Sequence, residues 1–170
     1  ICLNLRHLLL ESERAKQELA QLKPTLLVYK AKTQKIADLI VAKNNILIIP
    51  IVKFSVYYTS SADFDEARGV CGVNISASEM AVNFETEAAL AETIGHEIAH
   101  CYRKHDWVKL EKLPNAIKLK NDTQIEADQL ALSWLNNTPY AKTEAVAWHA
   151  RLLEASLETI EDPLARERLV

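Results

Sequence analysis

The chain is poor in residues that break or bend a backbone. Only three glycines and five prolines occur among 170 residues, which argues against long flexible linkers. The longest apolar run, Ile46–Val52, is interrupted by Pro50 and is too short to cross a bilayer. The chain also lacks an excess of basic charge, because 20 Lys and Arg against 23 Asp and Glu leave a net charge of -3. We therefore expect a folded domain with no membrane span in this sequence and no nucleic acid as a partner.

Cysteines are few and scattered along the chain. Cys2, Cys71 and Cys101 form an odd set with no C-x-x-C spacing, so we expect no disulfide framework. Cys101 directly follows His100 and could be taken for a soft metal ligand. On a helix it would point about 100° away from that histidine, so we expect a small buried residue instead.

Apolar periodicity and chain breakers divide the sequence into helices, a small sheet and further helices. The predicted helices cover residues 3–22, 25–43, 86–104, 122–135 and 143–159, and a short one follows Asp162-Pro163. The predicted strands cover residues 46–58, 70–76 and 80–84, and a polar loop is predicted over 60–69. This order predicts an α+β fold in which helices predominate. We treat 1–170 as one domain, with N-terminal helices in 1–43, the sheet in 44–84 and the remaining helices in 85–170.

The segment His96-Glu97-Ile98-Ala99-His100 carries the chemistry and lies within an apolar predicted helix. Residues four apart lie about 40° apart around a helix, so the imidazoles of His96 and His100 can meet one metal ion. Zinc binds neutral imidazole and lowers the pKa of a bound water, whose proton Glu97 is placed to accept. The same carboxyl can then protonate the leaving amine of a cleaved peptide. The spacing therefore predicts a zinc-dependent hydrolase with Glu97 as general base.

Three further segments extend this motif in the pattern of a known family. They are Cys101-Tyr102-Arg103-Lys104-His105, Gln124-Ile125-Glu126-Ala127-Asp128, and Asp162-Pro163 with Arg168. Together with the first motif they resemble the M48 metallopeptidases, whose pattern is H-E-x-x-H with an R-H tail, E-x-x-A-D, and H-P-x-x-x-x-R. The resemblance covers residues 70–170. It implies a mainly helical, zincin-like metallopeptidase domain with a small, partly antiparallel sheet packed on the H-E-x-x-H helix.

The third zinc ligand is the first departure from the family pattern. By register this ligand falls on Gln124, where the family has Glu, and Asp128 on the same helix face is expected to support a ligating His. Glu126 lies about 200° round the helix from Gln124, so it is the alternative ligand only if the helix is distorted. A degraded metal site is a third alternative.

The residues expected to stabilise the oxyanion are the second departure from the family pattern. Arg168 matches the family's arginine, and the resemblance implies that it stabilises the oxyanion. Asp162 stands where the family has His, and it suits an N-cap before Pro163. His149 is an alternative hydrogen-bond donor, and we expect His105 to support the site or lie on the surface rather than bind metal.

The resemblance implies a zinc-dependent endopeptidase with one Zn²⁺ per chain. Its protein or peptide substrate would bind as an added strand, at an edge formed by Gly72–Ile75 and Met80–Phe84. The departures at Gln124 and Asp162 favour an alternative, a catalytically impaired pseudo-peptidase that acts as a protein-binding module. A cytosolic peptidase that cleaves a regulator is a weaker alternative, since that group usually has Asn where Asp128 stands. The family's soluble members suggest the bacterial cell envelope, with the cytoplasm as the alternative location.

Overall fold

The computed structural model of the protein describes residues 29–55, 60–76, 86–140 and 142–147. Within these ranges the chain has the predicted α+β class, with five helical segments and one small sheet. The helical segments are α1 (residues 29–43), α2 (Glu87–Arg103), α3 (Trp107–Leu110), α4 (Ala116–Leu135) and α5 (residues 142–147). The strands are β1 (Ile49–Ser55), β2 (Ser61–Asp65) and β3 (Val70–Ser76). None of the described helices is long and apolar enough to cross a membrane.

The sheet is mixed, with the strand order β1-β3-β2. Strand β3 pairs in parallel with β1 and antiparallel with β2. Its residues Cys71, Val73 and Ile75 are fully buried, as expected for a central strand. The predicted loop over 60–69 was wrong at residues 61–65, which form β2, and was confirmed at the turn over 66–69. The exposed residues of this outer strand are Ser61, Asp63 and Asp65, and aspartate is rare in strands, which hides the strand signal in the sequence.

Strand β3 lies in the middle of the described sheet, so its backbone is already paired on both sides. The prediction that Gly72–Ile75 forms a substrate-binding edge was therefore wrong, and Met80–Phe84 lies outside the described residues. The outer edge of β1 is partly covered by Gln34 of α1. The Gln34 amide donates to the Pro50 carbonyl at 2.8 Å, and its oxygen accepts from the Val52 N–H at 2.9 Å.

Helix α2 has well-defined ends that agree with the sequence. Thr86 caps it, because the Thr86 hydroxyl accepts a hydrogen bond from the Ala89 N–H at 3.2 Å. The helix ends where Lys104 adopts a left-handed conformation, with φ 56°. Most of α2 is buried, and it contacts β2, β3 and α4. The H-E-x-x-H helix therefore packs on the sheet, as predicted.

Helix α4 ends at Leu135 as predicted but begins at Ala116 instead of Asp122. None of the residues in its first two turns is buried, so the apolar periodicity that marks the rest of the helix is absent there. Asn115 is a residue type typical of an N-cap, although its side chain makes no capping hydrogen bond, and this start signal was missed. The buried face of α4 consists of the small residues Ala127 and Ala131 followed by Trp134 and Leu135. The predicted helix 3–22, most of 143–159 and the segment after Asp162 lie outside the described residues.

A disulfide joins Cys71 of β3 to Cys101 of α2, with 5.9 Å between the Cα atoms. The expectation of no disulfide was therefore wrong for this pair. The two cysteines are 30 residues apart, and only the packing of α2 across β3 brings them together. Cys101 is 1% exposed, which confirms that it is buried and places its sulfur in a covalent bond instead of at a metal.

Candidate metal centre

The imidazoles of His96 and His100 face each other on one side of α2. Their Nε2 atoms are 3.0 Å apart and their rings are nearly perpendicular, with an interplanar angle of 80°. Two imidazole nitrogens that share one tetrahedral zinc lie roughly 3.3 Å apart. The pair therefore needs to separate by only a few tenths of an ångström to hold such an ion, and the donor set fits it.

Gln124 of α4 reaches the same point. Its amide nitrogen lies 3.4 Å from Nε2 of His100. The oxygen and nitrogen of a glutamine amide exchange places by a flip of the terminal group, which would turn the oxygen toward the histidines. Three donors from two helices can therefore converge: His96 Nε2, His100 Nε2 and the Gln124 amide oxygen.

Glu126 points away from this point. It forms an ion pair with Arg103 and accepts a hydrogen bond from His105 Nε2, at 3.2 Å from its Oε2. Burial raises the pKa of Glu126, but these two hydrogen bonds outweigh it and hold the pKa below its ordinary value. These contacts favour Gln124 over Glu126 as the third donor.

Asp128 orients His96 from the side opposite Nε2. Its Oδ1 lies 2.6 Å from His96 Nδ1. Donation from Nδ1–H to the carboxylate leaves the lone pair of Nε2 directed at His100. Burial lowers the pKa of His96, but its hydrogen bond to Asp128 and the charges of Glu97, Asp128 and Glu92 outweigh this effect and raise the pKa.

His100 is held in its neutral form. Burial, and then the charges of His96 and His105, lower its pKa to about 3. A metal ligand must be an unprotonated imidazole. His100 therefore has the protonation state that a metal needs at neutral pH.

Glu97 lies next to His96 on α2 and is 6% exposed. Its charge is among those that raise the pKa of His96, so the carboxylate acts on the same site. Arg168, Asp162 and His149 lie outside the described residues. The oxyanion role of Arg168 and the alternatives at the other two positions stay predictions.

Glu92 is a site residue that the sequence reasoning missed. It is 2% exposed and lies one helical turn before His96. Donor atoms of Glu92, His96 and Asp128 all lie within 4.8 Å of one another, and this group could hold a metal ion. The signal was available, because a carboxylate four residues before His96 shares its helix face. A buried carboxylate also requires polar or charged partners.

Two overlapping donor sets therefore share His96. One uses Nε2 with His100 and Gln124, and the other combines His96 with Glu92 and Asp128. The hydrogen bond between Asp128 and His96 Nδ1 already occupies one nitrogen of the ring, in the way that a carboxylate supports a metal-binding histidine. This contact favours the first set as the metal-binding one.

No family model, curated protein or solved structure matches this chain. The geometry of these side chains is therefore the evidence on which a function can be proposed.

Proposed function

We propose that this protein is a zinc-dependent endopeptidase with a zincin-like domain of the kind found in M48 metallopeptidases. The observation that carries the proposal is the convergence of His96, His100 and Gln124 beside a buried Glu97. Two imidazoles and one amide oxygen form a three-donor protein set that leaves a fourth position open, which is typical of catalytic zinc sites. Imidazole donors also favour zinc over magnesium or calcium.

Zinc held by these donors would supply Lewis-acid chemistry, polarising a water molecule and a peptide carbonyl. Glu97 accepts the proton of the attacking water and passes it to the leaving nitrogen. Asp128 keeps His96 in the tautomer whose Nε2 is free to bind. Arg168 is proposed to stabilise the developing oxyanion.

The substrate class is a protein or peptide. An extended peptide can add to a sheet through its backbone, and of the two outer strands in the described sheet β1 is partly covered by Gln34. Strand β2 therefore offers the more open edge within the described residues. Backbone recognition at such an edge would give little sequence preference.

The test combines metal analysis of the purified protein with hydrolysis of casein by wild type and Glu97→Gln. We expect one zinc per chain in both proteins and hydrolysis by wild type alone, because the amide cannot accept the proton. Glu87→Gln is the matched control, since Glu87 lies exposed at the start of the same helix and pairs with Lys32. The proposal fails if wild type binds no zinc when one equivalent is supplied. It also fails if Glu97→Gln still hydrolyses casein.

A pseudo-peptidase that binds proteins without cleaving them is the second candidate. The observation that favours it is Gln124, a neutral group at the position where the resemblance expects a carboxylate. An amide ligand holds zinc more weakly than a carboxylate. Stoichiometric zinc in wild type without hydrolysis of casein or unfolded proteins would favour this candidate over the enzyme.

The two donor sets are separated by a pair of variants. If zinc binds through His100 and Gln124, Gln124→Ala weakens zinc binding strongly, and Glu92→Gln weakens it less. If zinc binds through Glu92 and Asp128, the order of the two effects is reversed. Competition with a chromogenic chelator measures both affinities.

A further inference from the structure

The end of α2 folds the chain back onto the last turn of the helix. Lys104 has φ 56° and ψ 44°, and its N–H donates to the Cys101 carbonyl at 3.1 Å. The following N–H, of His105, donates to the His100 carbonyl at 3.0 Å. In a continued helix His105 would lie about 140° round from His100. The left-handed residue instead brings the two rings together, with 5.0 Å between their centroids.

His105 lies between a proposed metal ligand and a carboxylate. Its Nδ1 is 2.8 Å from Nδ1 of His100, and its Nε2 is 3.2 Å from Oε2 of Glu126. The His105 side chain is 8% exposed. Glu126 is held in turn by its ion pair with Arg103, which lies in the last turn of α2. A continuous series of polar contacts therefore runs from His100 to the surface.

The direction of each hydrogen bond follows from the free nitrogen of His100. Its Nε2 faces His96 and Gln124, so that atom must carry no proton if it is to bind metal. The proton then lies on Nδ1 of His100, which donates to Nδ1 of His105. His105 must in consequence carry its own proton on Nε2, which donates to Glu126. With these tautomers, each of the two contacts between His100, His105 and Glu126 has one donor and one acceptor.

We propose that His105 and Glu126 are positioning residues for His100, and that they fix its tautomer and ring orientation as Asp128 does for His96. The inference rests on the proposed metal site. It gives Glu126 a role through His105 in place of direct coordination. Groups that hydrogen-bond the second nitrogen of a metal-binding imidazole typically change metal affinity about 10–100-fold.

The experiment titrates the metal-free chain of 170 residues with Co²⁺ and follows the visible absorption of the bound ion. His105→Leu removes the acceptor, whereas His105→Asn keeps an amide oxygen close to the position of Nδ1. We expect His105→Leu to weaken Co²⁺ binding about 10–100-fold and His105→Asn to recover most of that loss. Glu126→Ala should weaken binding less than His105→Leu, because it acts one contact further away. Glu111→Ala is the matched control, since Glu111 is exposed and its side chain pairs with Lys120 instead of with His105 or Arg103.

A second readout tests the tautomer directly. Long-range ¹H–¹⁵N spectra of the zinc-loaded protein should show His105 protonated on Nε2 and unprotonated on Nδ1. A role in packing alone predicts that His105→Asn loses as much affinity as His105→Leu and that both losses follow thermal stability. That pattern, or the opposite tautomer, would overturn the inference while the metal site stands. Absence of Co²⁺ and Zn²⁺ binding in wild type would overturn the proposed function, and the inference with it.

Discussion

Gly95 of α2 lies so close to Ala131 of α4 that a Cβ on Gly95 would lie 3.2 Å from the Ala131 Cβ. This contact comes one residue before His96 and three after Asp128. Ala131 and Ala127 are both fully buried, so only small side chains separate the two helices here. The close approach lets Asp128 reach His96 at 2.6 Å and Gln124 reach His100 at 3.4 Å. Helix spacing therefore sets the geometry of the proposed metal donors.

Replacing Gly95 by alanine should disturb the metal site more than it disturbs the fold. Alanine gains about 1 kcal/mol over glycine within a helix, which offsets part of the cost of the tight contact. The helices must nevertheless separate by a few tenths of an ångström, which stretches the contacts of Asp128 and Gln124. We expect Gly95→Ala to weaken zinc binding about tenfold, on the scale of losses at supporting residues. Chelator competition measures the affinity, and urea unfolding measures the stability.

The control for this variant removes the Ala131 methyl group, which the added Gly95 Cβ would otherwise contact. Ala131→Gly combined with Gly95→Ala should recover zinc affinity, because the added methyl then meets a glycine. Wild-type affinity in Gly95→Ala alone, or no recovery in the pair, would contradict the claim that helix spacing sets the site.

The helical part of the site could be predicted from the sequence because its signals are local. The four-residue spacing of His96 and His100 determines their shared face. Gln124 was predicted through the resemblance to the M48 pattern, with the register set by Ala127 and Asp128. The left-handed end of α2 was not foreseen, so the contact between His100 and His105 was missed. Helix periodicity alone places those two side chains on different faces.

Features that depend on packing between distant segments could not be predicted. The disulfide between Cys71 and Cys101 depends on where α2 crosses β3, and no sequence spacing encodes that crossing. Strand β2 was hidden by its polar composition, since an outer strand needs few apolar residues. Its presence moves β3 to the centre of the sheet and removes the predicted edge at 72–75.

Asp128 should matter for zinc affinity through its hydrogen bond to His96. Asp128→Ala removes the acceptor, and we expect zinc to bind about 10–100-fold more weakly. Asp128→Asn should lose less, because its amide oxygen can still accept from Nδ1–H. Asp122→Asn is the matched control on the same helix, since Asp122 pairs with Lys118 at the surface. Equal zinc affinities for wild type and Asp128→Ala, measured by chelator competition, would rule out this role.

Gln124 gives a prediction with opposite signs for two substitutions. Gln124→Glu should tighten zinc binding, by about tenfold or 1.4 kcal/mol, because an anionic oxygen replaces a neutral one. Gln124→Ala should weaken it, because one of three protein donors is lost. Isothermal titration with zinc measures both changes. If neither variant differs from wild type, Gln124 does not bind the metal, and the donor set containing Glu92 becomes the better candidate.

The disulfide between Cys71 and Cys101 should stabilise the fold next to the site. It ties β3 to α2 one residue beyond His100, and the Cys71 sulfur lies 4.0 Å from the backbone carbonyl oxygen of Glu97. In the chain-entropy view, closing a loop of about 30 residues stabilises a native state by roughly 3.5–4 kcal/mol. We therefore expect Cys71→Ala combined with Cys101→Ala to lower the free energy of unfolding by about that amount. Urea unfolding measures the change, with Cys2→Ala as the control for loss of a thiol.

Thiol counting gives an independent test of the same bond. The chain has three cysteines, of which two form the disulfide. Denatured, non-reduced protein that was folded under oxidising conditions should be alkylated once, at Cys2, and three times after reduction. Both bonded cysteines are at most 1% exposed, so the reductant should act slowly on the folded chain and quickly on the unfolded one. Three alkylations without reduction would show that the bond does not form, and the expected loss of stability should then be absent as well.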